Sequence, residues 1–333
     1  MTARSAEARV ARARTPRRSD KPTLSVVVAS NRERALLDAC LSSLLPQCAQ
    51  QGAELIVARA SSPNEVGALA RAMPQVRFIA APRDATIPQL RGIGMAEATG
   101  DIVALTEDHC IADDQWVEVI LRHAMEGADV VGGGMGNAQR SRAVDWGAYF
   151  AEYGFFAPSR PNSDGGAPLL TAANVAYSRR VLDEVVAWAR RGEWENVAHD
   201  RLLARGSILR FARTAEIFQN KSYRFGDFCL DRFRHGRDYA RRRLAEEPFA
   251  HRWLLFAATP LLPFLLTGRV ARAAGPTRWV TFLRALPATF AFLTAWSVGE
   301  AAGYLLGPAP ALADPEPESD AAPEGRGESR AAE

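Results

Sequence analysis

Glu107, Asp108 and His109 follow one another directly after Thr106. Three consecutive side chains with carboxylate or imidazole donors can grip a divalent cation and, through it, a diphosphate. The plainer alternative is an acidic cap on the following helix, where carboxylates meet free backbone N–H groups. Position decides between them, because ligands bind beyond the carboxyl ends of strands in a parallel sheet. Other clusters are less specific. Gly132, Gly133, Gly134 and Gly136 flank Met135, but no strand–turn–helix frame surrounds them, so they read as permissive backbone rather than a phosphate loop. The run Arg241, Arg242, Arg243 reads as a solvated or lipid-facing basic patch. Cys40, Cys48, Cys110 and Cys229 form no cluster of zinc spacing, which points to reduced thiols in a reducing compartment.

The triplet needs a strand ahead of it, and the hydrophobic pattern supplies one. Residues 24–29 form an unbroken apolar run, as in a parallel strand buried on both faces. Leu36, Leu37, Cys40, Leu41, Leu44 and Leu45 then recur at helical spacing. Strands at 55–58, 76–80, 102–105 and 128–131 alternate with helices at 66–73, 89–98 and from Asp113 or Asp114 to Met125. This alternation predicts an α/β fold, a mostly parallel sheet with helices on both faces. It also puts Glu107, Asp108 and His109 at the ligand edge. Residues 133–170, rich in Gly, Ser, Pro and aromatics, read as loop-heavy and acceptor-facing. Helices follow at 179–190 and 195–205, then a basic aromatic stretch to Arg243.

With 333 residues, 47% hydrophobic and 24% charged, the chain can hold one large domain plus an appendage. The net charge of +3 gives no argument for a nucleic-acid partner. The organisation reads as a basic arm at 1–22, an α/β domain at 23–245, an apolar segment at 246–307 and an acidic tail at 308–333. Neither end has the apolar residues to build a core, and the Arg-rich start leads into no signal-peptide run. Within the apolar segment, 251–267 has two prolines, and 279–306 is interrupted by Arg284, Pro287 and Glu300. A bilayer crossing takes about 20 apolar residues, so a membrane hairpin and an interfacial pair are both open. Arg269, Arg272 and Arg278 lie in the connecting loop. By the positive-inside rule that loop would be cytoplasmic, which conflicts with a catalytic domain there and favours shallow insertion with both ends on one face. On this reading residues 251–333 are removable and leave a soluble α/β domain.

Several stretches together resemble family 2 glycosyltransferases, which have the GT-A fold. LSVVVASNRERALLDACLSSLLPQ resembles the family's opening, with Ser30, Asn31 and Arg32 at positions that line the nucleotide pocket. PQLRGIGMAEATGDIVALTEDHC resembles the approach to the family's DxD signature, with Arg91 matching a common arginine and Glu107, Asp108 and His109 on the signature positions. LLTAANVAYSRRVLDEV is similar to a later segment, where Asn174 and Arg179 or Arg180 match. GEWENVAHDRLLARG resembles the stretch with the catalytic base, which falls on Glu195. In DRFRHGRDYARRR, Arg232, Gly236 and Arg237 match a basic segment. The likeness covers about residues 24–243. Two departures matter: Ala58-Arg59-Ala60-Ser61-Ser62 stands where the family has acidic residues, one of which recognises the base, and the signature is Glu-Asp-His rather than all Asp. Ser61 fits the pocket, while His109 is open as a manganese ligand, a phosphate contact or a space-filler.

The resemblance implies a bacterial, membrane-associated enzyme that moves a sugar from a nucleotide-sugar donor to an acceptor hydroxyl, with inversion, in envelope glycan or glycolipid synthesis. The acceptor could be lipid-linked, a glycan or a small molecule, and the catalytic domain would sit on the cytoplasmic side of the inner membrane. The departing diphosphate needs a divalent metal, Mn2+ or Mg2+, or cationic side chains. Asp108 with Glu107 or His109 serves this need, aided by Arg232 or Arg237. The acceptor needs a carboxylate base, Glu195 with Asp200 in reserve. Two rivals differ in class. A nucleotidyltransferase would carry a glycine-rich, lysine-bearing loop after the first strand, where Ser30-Asn31-Arg32-Glu33-Arg34 stands. A catalytically degenerate membrane scaffold is suggested by the acid missing near Ser61.

Overall fold

The computed structural model describes residues 23–159, 169–246 and 251–306. The basic arm at 1–22 and the acidic tail from 308 lie outside the described residues. β1 (Leu24–Ser30) is buried along its whole length, which is why it contains no charged residue. It pairs in parallel with β2 (Glu54–Ala60) and β4 (Ile102–Glu107), and β3 (Arg77–Ala81) joins β2 outside. The helices between them bury one face each. α1 (Arg34–Gln51) covers the sheet with Leu37, Cys40, Leu41, Leu44 and Cys48. α2 (Pro63–Ala72) opens with a capping box of Ser62 and Glu65, and α3 (Ile87–Ala96) crosses back to β4.

The second half departs from strict alternation. After β5 (Cys110–Ala112), α4 (Trp116–Met125) and β6 (Val130–Asn137) come α5 (Ala143–Tyr153) and β7 (Val175–Ser178). α6 (Arg179–Arg190), α7 (Glu195–Ala204), β8 (Leu209–Gln219) and α8 (Phe225–Glu246) follow. β7 inserts antiparallel between β4 and β6, and β5 lies antiparallel on β8. The eight strands run in the order β3-β2-β1-β4-β7-β6-β8-β5. The sheet is therefore mixed, with helices on both faces. α4 begins after Gln115, whose side chain makes no capping bond; neither aspartate is its cap.

The region 133–170 is only partly loop, since it holds most of β6 and all of α5. Its glycines hid the strand, because a run without side chains shows no alternation. They are required by close approach: a Cβ on Gly133 would lie 1.9 Å from the carbonyl oxygen of Ala215 on β8, at a register shift between the two strands.

The apolar segment is part of the fold. α9 (His251–Ala258) and α10 (Leu262–Ala274) run beside α11 (Trp279–Leu306), with Phe264 packed on Phe290 at 5.2 Å. The opposite side of α11 packs first on α5, through Phe282 and Phe150, then along α8, through Phe292 and Phe228. α8 and α11 nearly touch. A Cβ on Gly236 would lie 2.1 Å from the Trp296 carbonyl oxygen, and one on Gly299 would lie 2.1 Å from that of Phe233. Val270, Ala274, Phe282 and Ala285 belong to the same core cluster as Val26, Leu41 and Ile120. Residues 251–306 thus share the core of the α/β domain, and part of that core is covered by them.

Candidate active site

Three strand ends meet where β1, β2 and β4 finish. Asp108 continues the β4 ladder by donating its backbone N–H to the Ala29 carbonyl at 3.1 Å, which turns its side chain inward. Although it lies at the ligand edge, Asp108 is only 1% exposed. Its Oδ2 accepts from the Ser30 hydroxyl at 2.9 Å and the Arg32 amide at 2.7 Å. Its Oδ1 is buried without a hydrogen-bond partner among the described residues, 3.9 Å from His109 Nδ1. Burial pushes the Asp108 carboxyl up, but His109, the Arg32 amide and the Ser30 hydroxyl outweigh it and hold the group below its ordinary value.

Glu107 is divided between two neighbours: Oε1 meets Arg91, while Oε2 lies 3.5 Å from His109 Nδ1. Arg91, from α3, places Nη2 2.5 Å from Glu107 and Nη1 3.0 Å from Glu195, and its guanidinium lies over the Trp194 ring. Arg91 is thus a buried bridge between two carboxylates rather than an open donor contact. Glu195, in the first turn of α7, accepts from the Ala172 amide with its other oxygen at 3.2 Å. Burial pushes its carboxyl up, while the Arg91 charge and backbone N–H groups hold it below the usual carboxylate range. Asp200, one turn along, is exposed. Both line a cavity of about 950 Å³ between α7, α8 and the C-terminal helices, with Trp194, Arg232, His235 and Trp296.

A second set of polar residues joins that cavity to the triplet. His109 Nε2 lies 3.3 Å from the Tyr153 hydroxyl. Neighbouring Glu152 accepts from the Tyr223 hydroxyl at 3.1 Å and lies 3.8 Å from Arg232. Burial pushes Glu152 up, but Lys221 and Arg232 bring it down to about 2. Burial presses the His109 imidazole toward neutrality, yet Cys110 and Asp108 bring it up to about 9. Arg232 is itself buried, stacked between Phe228 and Trp296 and bonded to His235 at 2.8 Å. The Arg237 backbone lies against α11 at Gly299 and Gly303, and its Nε is buried and unpartnered among the described residues. Glu152, Tyr153 and Tyr223 carried no signal in the sequence, since nothing linked α5 to β4.

On the donor side Asn31 Oδ1 is buried without a hydrogen-bond partner, while Arg32 is exposed. Next to 58–62 a carboxylate does stand on α2, where Glu65 accepts from the Ser61 hydroxyl and from the Ser62 amide at 3.0 Å. The Ser-Pro-Asn-Glu spacing of a capping box was the available signal. Asn174 is a structural stitch, joining Trp116 Nε1 to the carbonyls of Gly134 and Ala215, and Arg179 ties the carbonyls of Ala98 and Gly100.

Among the described residues no three His, Cys, Asp or Glu side chains form a ready metal cage. The donor set that fits a divalent ion is smaller. It would consist of Asp108 Oδ1, free among the described residues, and nearby His109 Nδ1 once that ring has given up a proton, with diphosphate oxygens and water to complete a hard cation's shell.

A mostly parallel sheet with carboxylates at its ligand edge and helices on both faces makes this a GT-A-like α/β protein. Residues 25–186, just under half of the chain, match the family described as Glycosyl transferase family 2, and they make this a glycosyltransferase of the nucleotide-sugar type. Among solved structures it is similar to the mannosyltransferase PcManGT from Pyrobaculum calidifontis, in complex with GDP-Man and Mn2+. The TM-score is 0.52 and the identity 15%, over 84% of this chain and 87% of that one, a likeness of fold. No curated protein matches the chain.

Proposed function

We propose that the protein transfers a sugar from a nucleoside-diphosphate sugar to an acceptor hydroxyl, with inversion, assisted by Mn2+ or Mg2+. The observation that carries this is the Arg91 bridge, which joins a carboxylate at the donor edge to one on the cavity wall. On this reading the bridge would set the separation between the leaving group and the group that accepts the proton. Asp108 and His109 would hold the ion, which supplies positive charge to the departing diphosphate. Glu107 holds Arg91, and through it orients Glu195. The acceptor enters the cavity, and its hydroxyl gives its proton to Glu195 as the anomeric carbon is attacked from the side opposite the diphosphate. Arg232 adds positive charge at the cavity wall. Ser30, Asn31, Arg32 and Ser61 frame the nucleotide. The Mn2+ and GDP-Man of the structural neighbour support a comparable donor and ion here.

The test is a panel of nucleotide sugars scored for Mn2+-dependent nucleotide release, followed by the anomeric configuration of the product. Release unaffected by chelator, or a retained configuration, would overturn the corresponding part.

The acceptor is assigned to envelope glycan or glycolipid synthesis at the cytoplasmic face of the inner membrane. Residues 251–274 and 276–306 are long and apolar enough to cross a membrane by length and composition. Their packing favours lying in its surface instead. α11 runs beside α8, whose Asp231, Arg234, Asp238 and Arg241 would enter the bilayer with it, at about 2.5–3.5 kcal/mol per charge near the centre. Trp253, Leu254, Phe264, Leu265, Trp279 and Leu283 are exposed, and the only carboxylate in 251–306, Glu300, is buried. That surface of apolar residues and arginines suits an anionic leaflet. Flotation of the full-length protein with anionic vesicles tests this, and failure to float would overturn it.

A further inference from the structure

We infer that Arg59 is a positioning residue for the cation site, holding both groups that aim Asp108. The inference rests on the reading of Asp108 as a cation ligand.

The geometry runs across three neighbouring strand ends. Arg59 on β2 is in register with Ser30 on β1, and Ala29 on β1 with Glu107 on β4. Arg59 Nη1 donates to Ser30 Oγ at 2.6 Å and to the Arg32 carbonyl at 3.1 Å. A guanidinium has no acceptor, so this direction is fixed. The serine hydroxyl has one proton, and with Arg59 on a lone pair that proton goes to Asp108 Oδ2, 2.9 Å away. The second donor to that oxygen is the amide of Arg32, the residue whose carbonyl the same Arg59 nitrogen grips. One nitrogen therefore anchors both donors that hold Oδ2. With Oδ2 held from two sides the carboxylate plane is set, and Oδ1 is the oxygen left without a partner. The arginine at this position thus takes part in the cation site of the next strand but one.

Charge and positioning predict opposite signs, which makes the inference testable. Removing a cation beside the site would, by relief of Coulomb repulsion alone, tighten binding of Mn2+. Losing the anchor would weaken it, by about 10–100-fold for a partner that orients a metal ligand. Mn2+ alone is titrated into the full-length protein, with free ion read by electron paramagnetic resonance and each variant's fold checked by thermal unfolding. Arg59→Met is expected to weaken Mn2+ binding in that range, and Arg59→Lys, whose ammonium keeps three donors on one nitrogen, to recover most of it. Ser30→Ala, too small a change to threaten the fold, should weaken binding comparably. The double variant should be no worse than about threefold beyond the weaker single, because residues acting through one contact are not additive. Unchanged or tighter binding in Arg59→Met, or fully additive losses, would overturn the positioning role alone. If the wild-type protein binds no Mn2+, or Asp108→Asn binds it as well as wild type, the cation reading fails and this inference with it.

Discussion

Replacing Glu195 with glutamine separates the chemistry from the structure around it. The side chain is 17% exposed and faces Arg91, which is 5% exposed, at 3.0 Å. Glutamine keeps the shape, and its carbonyl oxygen can still accept from Arg91 or from the Ala172 amide. What it loses is the negative charge and the basic oxygen. Arg91 then keeps one ionised partner, Glu107 at 2.5 Å. Deleting a partner from a buried pair costs about 3–5 kcal/mol, and the surviving hydrogen bond reduces the loss toward about 1–3 kcal/mol. The protein should stay folded with a lowered melting temperature. Turnover should fall by about 10²–10⁴-fold, the usual contribution of a general base, while the donor's apparent affinity is little changed. The pH profile gives a second reading. Since Glu195 is held below the ordinary carboxylate value, near 4.3, the base is ionised at neutral pH and the acid limb of kcat/KM lies lower still. Its contribution to stability is present above the unfolded value and is lost as pH falls through the depressed folded one. The assay is steady-state transfer to a confirmed acceptor at several pH values, alongside thermal unfolding, with Asp200→Asn as the control. Asp200 is exposed on the same cavity and should cost far less. Turnover within tenfold of wild type in Glu195→Gln, or a larger loss in Asp200→Asn, would refute the assignment.

Three further outcomes are expected. Asp108→Asn should abolish metal-dependent nucleotide release yet leave the fold intact, since the amide oxygen can take the place of Oδ2 between Ser30 and Arg32; activity that persists would count against the site. Ending the chain after residue 246 should give insoluble or unfolded protein. Val270, Phe282, Phe292 and Leu293 are buried, and at about 1.5–3 kcal/mol each their loss rivals a whole domain's stability of about 5–15 kcal/mol; a soluble, cooperatively unfolding fragment would disprove this. Gly236→Leu should destabilise the protein and disturb transfer, because the added side chain meets the Trp296 backbone; a melting temperature equal to wild type would contradict the close packing of α8 on α11.

The sequence alone determined the first half of the fold and the identity of the chemical groups. β1, α1, β2, α2, β3, α3 and β4 were all visible because a parallel strand needs an apolar run where it is buried, over all of β1 and β4 and the middle of β2, or half-buried, in the middle of β3, and each covering helix must show a stripe, both local requirements. For the same reason the triplet at the end of β4 was legible as chemistry, and the likeness to a glycosyltransferase family followed from short segments around it. What the pattern could not contain was long-range. The strand in the glycine run is set by the approach of β8, and the antiparallel insertion of β7 by a return of the chain from α5. α11 looked like a detachable membrane helix because apolar composition is the same whether a side chain meets lipid or Phe150. Only tertiary structure decided that Glu107 is shared between Arg91 and His109 and that Asp108 is buried with one oxygen free among the described residues. It also brought Arg59, 49 positions before Asp108 in the chain, to the edge of the same site. Ion pairs and hydrogen bonds form between side chains that folding brings together, and their spacing in the chain carries no period from which they could be read.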